Sequence, residues 1–405
     1  MSTSLLYHGF GIRGYKYKNT KYKGGSVNFR IEQERYTLRC ACCGSKEVKL
    51  KGKVRRRFKS TPIGRKAVFI MLMVQRVLCL ACGALRQVKV GFADERRSYT
   101  KGFERYALEL SKHMTIKDVA AHLGVSWDVI KDIQKRNLNR RFAKPKLRKL
   151  KRIAIDEISI GKGHRYLTIV LDLSTGAVVF VGDGKGGDAL EPFWKRLRRS
   201  KARKIKAVAI DMSPAYISAV IENLPDASIV FDHFHIIKLF NDKLSDLRRK
   251  LFREATDFLK KNVLKGTRWL LLTGQENLDD EQNEGTKLQE ALKLNEPLAV
   301  AYYMKEDLRR LWDWTDKKAA EWHLKSWIAM ARASKIPMLG KFANTLSAHR
   351  TGILAYFDHR ISTGPLEGTN NKIKTMKRQA YGYRDMEFFK LKILGLHETR
   401  YALVG

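Results

Sequence analysis

Residues 152–183 read RIAIDEISIGKGHRYLTIVLDLSTGAVVFVGD, and this stretch decides the fold of the chain. It contains three apolar runs, RIAIDEI, YLTIVLDL and AVVFVGD, which are separated by turns with glycine or polar residues. Short apolar runs between turn residues are typical of buried β-strands. The stretch therefore predicts three strands that follow one another directly, with no helix between them.

The residues that follow alternate between helix and strand signals. SPAYISAVIENL has helical periodicity, with Ser213 as a candidate cap and Pro214 in its first turn. The whole series predicts a helix at 186–200, a strand at 205–212, a helix at 213–224 and a strand at 227–235. Together with the three earlier strands this gives the order βββαβαβ, which matches a ribonuclease-H-like (RNase H-like) α/β core.

The composition predicts an intracellular protein with a nucleic-acid partner. The chain has 405 residues, and its 80 Lys and Arg against 41 Asp and Glu give a net charge of +39. This length suggests two to four domains. A cationic surface is useful mainly on a polyanion, because binding to phosphates releases counterions. An anionic membrane is the competing partner, but no apolar run approaches about 18 residues, and we expect no signal peptide, because MSTSLLYHGFGIRG lacks a long apolar core and a cleavage site.

Four of the five cysteines form two C-x-x-C-G pairs. Two such pairs can present four thiolates tetrahedrally to a structural Zn²⁺, and the predicted ligands are Cys40, Cys43, Cys79 and Cys82. Cys42 is an alternative to Cys40 or Cys43, and redox-active cysteines are the rival function. Between the pairs lies KGKVRRRFK, in which we expect DNA contacts from Arg55, Arg56 and Arg57.

Residues 115–136, TIKDVAAHLGVSWDVIKDIQKR, fit a DNA-binding helix-turn-helix. Thr115 can cap the first helix, Ala120 is small where two helices pack, and Gly124 permits the turn. The second helix would lie in the major groove. Its exposed candidates for base or phosphate contact are Ser126, Trp127, Asp128, Lys131 and Lys135. The alternative is an ordinary helical hairpin.

A strongly basic segment follows this motif. From Lys131 to Arg152, eleven of the 22 positions are Lys or Arg, and only Asp132 is acidic. We expect this linker or helix extension to lie against phosphates, with Arg140 and Arg141 among its contacts. A solvated charged helix is the alternative.

Three carboxylates lie within this positive background: Asp156 in RIAIDEI, Asp211 in AVAIDMS and Glu367 in GPLEGTNNKIK. The two aspartates lie at the ends of apolar runs, where we expect a first and a fourth strand to stop, and these strands are neighbours in the predicted core. Hard oxygen ligands can hold two Mg²⁺ ions about 3.5–4 Å apart, which activate a nucleophilic oxygen and stabilise a leaving oxyanion. Glu157 is a rival ligand, but it should point to the opposite side of its strand.

Other residues near these three have weaker claims. Asp172 and Asp183 also end predicted strands, but the expected core does not bring them to Glu367. The helix that Glu367 opens carries further polar residues three, four, seven and eleven positions later, which are Asn370, Asn371, Lys374 and Arg378. Predicted DNA contacts on this helix are Lys372, Lys374 and Arg378.

These motifs together resemble a bacterial insertion-sequence transposase of the DDE class, most closely the ISL-three (ISL3) family. The resemblance spans nearly the full length, and its most specific parts are FDHFHIIKL and GPLEGTNNKIKTMKRQAYGY. It implies that Asp156, Asp211 and Glu367 are catalytic ligands of Mg²⁺ or Mn²⁺. It also implies an all-helical insertion before Glu367, which fits the 156 residues from Asp211 to Glu367 against 55 from Asp156 to Asp211.

Two further site predictions depend on this resemblance. Residues 232–235, DHFH, resemble the [C/D]-x-x-H signature of transposases that contain an insertion. His235 is then either a catalytic residue near the scissile phosphate or a hydrogen-bonded structural histidine. In the insertion, Trp312 and Trp314 are the best candidates for base stacking, and packing in the core is the alternative.

The predicted protein is multidomain α+β. Its segments are a zinc-ribbon DNA-binding domain of short strands and turns at 1–95, a helix-turn-helix with basic linker at 96–151, the first part of the RNase H-like core at 152–235, a helical insertion at 236–355 and the last core helices at 356–405.

The resemblance implies a transposase that binds terminal inverted repeats, cleaves DNA with Mg²⁺ and joins the freed 3′-hydroxyl to target DNA. Such a protein would act as a homodimer on two ends, in the bacterial cytoplasm at the nucleoid. Two other functions are weighed against it. A domesticated transposase acting as a non-catalytic DNA-binding regulator would not need the three intact carboxylates. An RNase H-like structure-selective nuclease would not need two sequence-reading modules.

Overall fold

The computed structural model describes residues 2–161, 163–200, 205–255, 267–279, 281–293 and 295–398. The chain divides into two compact units. The first joins Met1–Ala143 to Thr375–Gly405, and the second is the continuous segment Lys144–Lys374. None of the described helices is both long and apolar enough to cross a lipid bilayer.

A five-stranded sheet forms much of the first unit. Helix α1 (Ser2–Phe10) precedes strands β1 (Tyr15–Lys23), β2 (Ser26–Gln33), β3 (Val48–Ile63), β4 (Lys66–Cys79) and β5 (Leu85–Gln87). The strand order is β1-β2-β4-β3, and β5 pairs with β4. From Val68 to Val74 every second residue of β4 is buried, so one face of the sheet carries the core.

The prediction of short strands and turns for residues 1–95 is wrong in two respects. The chain begins with a helix, and β3 and β4 are 16 and 14 residues long. Residues 49–55 of β3 are exposed, so the sequence shows no alternation there. Antiparallel pairing with the apolar β4 nevertheless extends the strand through this basic stretch.

Three helices follow the sheet, and they confirm the helical pattern predicted for residues 115–136. They are α2 (Lys101–Leu110), α3 (Ile116–Leu123) and α4 (Trp127–Phe142), packed around a shared apolar core. Thr115 caps α3, because its Oγ1 accepts the N–H of Asp118 at 3.0 Å. Ser126 occupies the cap position of α4 without a side-chain hydrogen bond.

The sheet of the second unit has the predicted order of elements, βββαβαβ. These are β6 (Arg152–Gly161), β7 (Arg165–Asp172), β8 (Ala177–Asp183), α5 (Glu191–Arg199), β9 (Ala207–Ile210), α6 (Pro214–Asn223) and β10 (Ser228–Phe231). The strands lie in the order β10-β9-β6-β7-β8. β6, β7 and β8 pair antiparallel, whereas β9 pairs in parallel with both β6 and β10.

Two predicted strand ends are wrong. Asp156 lies in the middle of β6, because antiparallel pairing with β7 continues to Gly161. The parallel pairing of β6 with β9 stops at Ala154, just before Asp156. The last strand ends at Phe231, where its partner β9 also ends. Asp232 is the N-cap of the next helix, and residues 233–235 form the start of that helix.

Helices make up the rest of the chain that the structure describes. In the second unit they are α7 (His233–Glu254), α8 (Arg268–Leu272), α9 (Glu284–Lys293), α10 (Glu296–Arg309), α11 (Lys317–Ala333), α12 (Pro337–Ala348), α13 (Arg350–Leu354), α14 (Tyr356–His359) and α15 (Gly364–Gln379), which extends past the boundary of the unit. Their apolar faces share one core with the sheet. Residues 256–266 of the predicted helical segment lie outside the described residues.

The last described helix, α16 (Met386–Leu394), belongs to the first unit. Its Phe388 and Leu391 pack against Leu138 and Phe142 of α4. The first unit is therefore built from both ends of the chain.

Candidate functional site

One pocket of the second unit, about 300 Å³ in volume, contains all three carboxylates predicted to bind metal. Asp156 comes from β6, Asp211 follows β9 directly, and Glu367 lies in the first turn of α15. The lining residues are Asp156, Glu157, Asp211, Phe234, His235, Lys238, Glu367, Asn370, Asn371 and Lys374. Segments that are far apart in the sequence thus converge on one cluster of acidic and amide side chains.

Asp156 is held by two hydrogen bonds. Its Oδ1 accepts the N–H of Glu157 at 2.7 Å, and its Oδ2 accepts Nδ2 of Asn370 at 2.8 Å. Burial raises the pKa of Asp156 to about 6, and the charges of Asp211 and Glu157 add to the rise, while the Glu157 N–H and His235 oppose it. Because these carboxylates repel one another, the pocket favours a bound cation.

Helix α6 orients two of the acidic residues. The N–H of Ser213 donates to Oδ1 of Asp211 at 3.0 Å where the chain turns from β9 into α6. The buried Tyr216 donates its hydroxyl to Oε2 of Glu157 at 2.9 Å. Glu157 is thus bonded to α6 and Asp156 to α15. Both side chains nevertheless line the pocket, so Glu157, which we expected on the opposite side of its strand, is also near enough to be a ligand.

The helix that carries Glu367 is tied to the end of β10. The N–H groups of Leu366 and Glu367 both donate to the carbonyl oxygen of Thr363 at 2.8 Å. The hydroxyl of Thr363 donates to Oδ2 of Asp232, whose side chain is only 2% exposed. Asp232 is the N-cap residue of α7, the helix that carries His235. One buried carboxylate therefore connects the starts of α7 and α15.

The donor set of the pocket fits a divalent cation. Carboxylates and side-chain amides supply the hard oxygen ligands that Mg²⁺ and Mn²⁺ prefer. Within the described part of the chain, Oδ1 of Asn370 is buried and has no hydrogen-bond partner. Buried acceptors are normally satisfied, and a hydrated cation would satisfy this one.

Several residues of this site were missed by sequence reasoning. Lys238 lies three positions after His235, on the same side of α7, so the helical period of FDHFHIIKL could have identified it. Tyr216 and Thr363 carry no signal in the sequence, because their partners come from elements distant in the chain. His235 lines the pocket, a position that fits both a catalytic role near the scissile phosphate and a structural role.

A second candidate site is the cysteine cluster of the first unit. The sulfur atoms of the four predicted ligands, Cys40, Cys43, Cys79 and Cys82, lie within 4.8 Å of one another and could hold a metal ion. The N–H groups of Cys43 and Cys42 lower the pKa of Cys40 to about 6, which favours the thiolate form that zinc requires. The exposed Cys42 is not a member of this cluster.

The predicted DNA contacts on α4 fall into two groups. Ser126, Trp127 and Asp128 are exposed at its amino-terminal end, Trp127 at 54%. The predicted exposure of Lys131 and Lys135 is wrong, because both lysines are half-buried. Their Nζ atoms lie 3.2 and 3.1 Å from Oδ2 of Asp385, a residue 250 positions after Lys135.

The other predicted DNA contacts also differ in their surroundings. Arg55 and Arg57 are exposed, whereas Arg56 is half-buried. Arg140 and Arg141 are exposed at the end of α4, and Arg141 pairs with Glu398 at 3.2 Å. The three predicted cations of α15, Lys372, Lys374 and Arg378, are exposed.

The two tryptophans predicted to stack on bases are not the most exposed ones. Trp312 is half-buried against the core, and Nε1 of Trp314 donates to Nδ1 of His323 at 2.7 Å. Trp322 and Trp269 are 70% and 68% exposed. Trp314 is itself 41% exposed, so the insertion presents this predicted ring to solvent together with two more exposed rings that the sequence did not single out.

Sequence models of three protein families match successive parts of the chain. Residues 37–82 match the zinc-finger of transposase IS204/IS1001/IS1096/IS1165, and residues 88–136 match the helix-turn-helix domain of transposase family ISL3. Residues 153–393 match the transposase domain of the same family, which is of the DDE class.

Two relatives are similar over nearly the whole chain. The transposase for insertion sequence element IS1001 of Bordetella parapertussis is 31% identical over 388 residues, which cover 95% of both chains. The transposase for insertion sequence element IS1557 of Mycobacterium tuberculosis is 28% identical, over 94% of this chain and 91% of the relative.

Proposed function

This chain belongs to the ISL3 family of insertion-sequence transposases, and on that premise we propose that it cleaves the DNA ends of its element and transfers them to a target. The proposed metal ligands are Asp156, Asp211 and Glu367. The observation that carries the proposal is their convergence in one pocket from β6, the end of β9 and α15. Lys238 and Lys374 line the same pocket and supply positive charge for a phosphodiester.

We propose further that the sheet around this pocket is an RNase H-like core. Three antiparallel strands followed by two parallel strands, with helices between, support this assignment. The described helices α7 to α14 lie in the chain between β10 and α15, and they form the proposed insertion domain. The predicted boundaries near residues 95, 151, 235 and 355 are part of the same proposal.

The residues of the pocket have separate roles in this mechanism. A bound divalent metal supplies Lewis-acid activation of the nucleophilic oxygen and stabilises the leaving oxyanion. Asn370 fixes the carboxylate of Asp156 by a hydrogen bond. Asp232, bonded to Thr363, holds the start of the helix that carries Glu367. The positively charged side chains of Lys238 and Lys374, which line the pocket, attract the phosphate backbone.

The first unit supplies the proposed recognition of the terminal inverted repeats. Its four clustered cysteines bind a structural zinc ion in this proposal, and the exposed start of α4, with Trp127, enters the major groove. Since transposition joins two ends, we propose that the protein acts as a homodimer on DNA.

The test is cleavage of a duplex that contains one end of the element, in the presence of Mg²⁺ or Mn²⁺. We expect Asp156→Asn, Asp211→Asn and Glu367→Gln to bind this duplex like the wild type but to lose cleavage by at least about a hundredfold. Asp172→Asn is the matched control, because Asp172 ends β7 and bonds to Ser174 and Thr175 in a turn. Cleavage by Asp156→Asn at the wild-type rate would exclude the proposed active site, and the absence of cleavage by both proteins would favour a non-catalytic regulator.

A further inference from the structure

One face of the sheet in the first unit is open to solvent. Ala67, Phe69, Met71 and Met73 of β4 alternate with the buried residues of the core face, and they line a cleft of about 870 Å³. The neighbouring strands continue this face, since Arg30 of β2 and Arg57 of β3 lie on either side of Met71. The floor of the cleft is therefore mainly apolar, and it is bordered by strands with basic side chains.

The borders of this cleft carry charge of one sign. Strands β1 and β2 form one border, which carries Lys21, Lys23 and Arg30. Strand β3 forms the other border, which carries Arg55 and Arg57. Among the described residues that line the cleft there is no acidic side chain. The acids nearest in sequence, Glu32 and Glu34, pair with Lys18 and Lys16 instead. We call this surface, defined by the five cations, the cationic sheet face.

The three consecutive arginines of β3 do not share one environment. Arg55 and Arg57 pair in register with Met73 and Met71, so they belong to the open face. The guanidinium of Arg57 lies 3.4 Å from the ring centroid of Phe69 and is held on the floor of the cleft. Arg56 points to the core face, where it covers the ring of Phe58.

Nη2 of Arg56 also donates to the carbonyl oxygen of Arg97 at 2.8 Å. The guanidinium of Arg56 is thus engaged within the protein, whereas its two neighbours line an open cleft. Because side chains alternate along a strand, Arg55 and Arg57 are available to a ligand in the cleft, whereas Arg56 stabilises the fold.

The spacing of the two borders indicates what fits between them. From β1 to β3 there are three strand spacings, because the order is β1-β2-β4-β3. At about 4.8 Å each, they separate the cations of β1 from those of β3 by about 14 Å, and Arg30 of β2 is two spacings, about 10 Å, from β3. Duplex DNA presents two rows of phosphates across a major groove about 12 Å wide, whereas a single strand presents only one row. The distance between the two cationic borders therefore matches the distance between the two rows of phosphates of a DNA duplex.

We propose that the cationic sheet face docks the sugar–phosphate backbone of duplex DNA. It holds the two phosphate rows that flank one groove, between the borders of the cleft. Because its apolar floor offers few groups to base edges, the contact positions the duplex without reading its sequence. The inference rests on the proposed function only in that DNA is the substrate, and it adds a surface beyond the cysteine cluster and α4.

The test compares the salt dependence of duplex binding by full-length protein. We expect the double variant Arg55→Gln with Arg57→Gln to bind more weakly, and its slope of log K against log salt concentration to be less steep by about two. Arg56→Gln is the matched control and should keep the wild-type slope. The double variant Lys21→Gln with Arg30→Gln, on the other border, should reproduce the loss. The ratio of affinities for end DNA and unrelated duplex should not change.

The outcomes separate this inference from the proposed function. A wild-type slope in both double variants overturns the docking surface and leaves the transposase assignment standing. Failure of the wild type to bind any duplex overturns the proposed function itself. A loss of affinity for single-stranded DNA alone also overturns the inference. So does a loss of duplex affinity in only one of the two double variants, because two rows of phosphates are then not held. Unchanged melting temperature and zinc content show that the variants are folded.

Discussion

At the scale of single residues, Asp232 links three segments of the second unit. It follows β10, its N–H donates to Ile210 at the end of β9, and its carboxylate accepts the hydroxyl of Thr363. Ile210 precedes Asp211, and Thr363 precedes the helix with Glu367. Asp232, which is not among the residues that line the pocket, thus aligns through its backbone and its side chain the segments that carry two proposed metal ligands.

Thr363→Val is expected to destabilise the second unit by about 2–4 kcal/mol, because it leaves a buried carboxylate without its donor. It should also weaken the apparent affinity for Mg²⁺ in cleavage, since the start of α15 loses its anchor. Urea unfolding and metal titration of cleavage measure the two effects. Thr369→Val is the control on the same helix, where a hydroxyl bonded only to Pro365 predicts a change within about 0.5 kcal/mol. Equal stability of the two variants would contradict the anchoring role.

Asp385 gives a pH-dependent prediction. Burial opposes its ionisation, but the N–H of Phe388 and the ammonium groups of Lys135 and Lys131 hold the pKa of Asp385 at about 2. Since this is below the value of about 3.8 in the unfolded chain, the contribution to stability is complete above pH 4 and is lost as the pH falls towards 2.

Asp385→Asn should therefore lower the free energy of unfolding by about 1–2 kcal/mol at pH 7, after allowance for partial solvent screening. The difference from the wild type should shrink as the pH falls from about 4 to about 2. Urea midpoints at several pH values provide the measurement. A difference that stays constant to pH 2 would show that the amide disturbs packing rather than charge.

At the scale of secondary-structure elements, the cysteine cluster connects the loop before β3 to the end of β4. Cys79→Ser is expected to reduce bound zinc below one ion per chain and to weaken binding to end DNA, because a structural zinc site needs all four ligands. Cys42→Ser should keep its zinc, since Cys42 lies outside the cluster. A chromogenic chelator that measures zinc release distinguishes the variants. Equal zinc loss in both would contradict the four-cysteine assignment.

The elements also show what the sequence can predict and what it cannot. The order βββαβαβ was predictable, because each strand is a short apolar run between turn residues. The lengths of β3 and β6 were not, because pairing with a neighbour carries each strand past the point where its own pattern ends. The pairing of Lys131 and Lys135 with Asp385 was equally hidden, since it depends on how α16 packs on α4.

At the scale of the whole molecule, the three carboxylates were predictable as a set but not from one kind of evidence. Asp156 and Asp211 end apolar runs, but Asp172 and Asp183 do so too, and only the expected pairing of the strands favoured the first two. Glu367 lies in a polar helix, and only the motif GPLEGTNNKIK distinguished it from the other glutamates. The hydrogen bonds that orient these residues come from Asn370, Ser213 and Thr363, and such contacts require the tertiary structure.

The first unit contains both the beginning and the end of the chain, and this affects its synthesis on the ribosome. Leu138 and Phe142 of α4 can pack against Phe388 and Leu391 of α16 only after more than two hundred intervening residues have been translated. We therefore expect a nascent or prematurely terminated chain to expose an incomplete helical surface beside its DNA-binding motif. Only a chain that has been translated past α16 would complete this surface beside the motif, so a shorter fragment would be a poor competitor for the element's own ends.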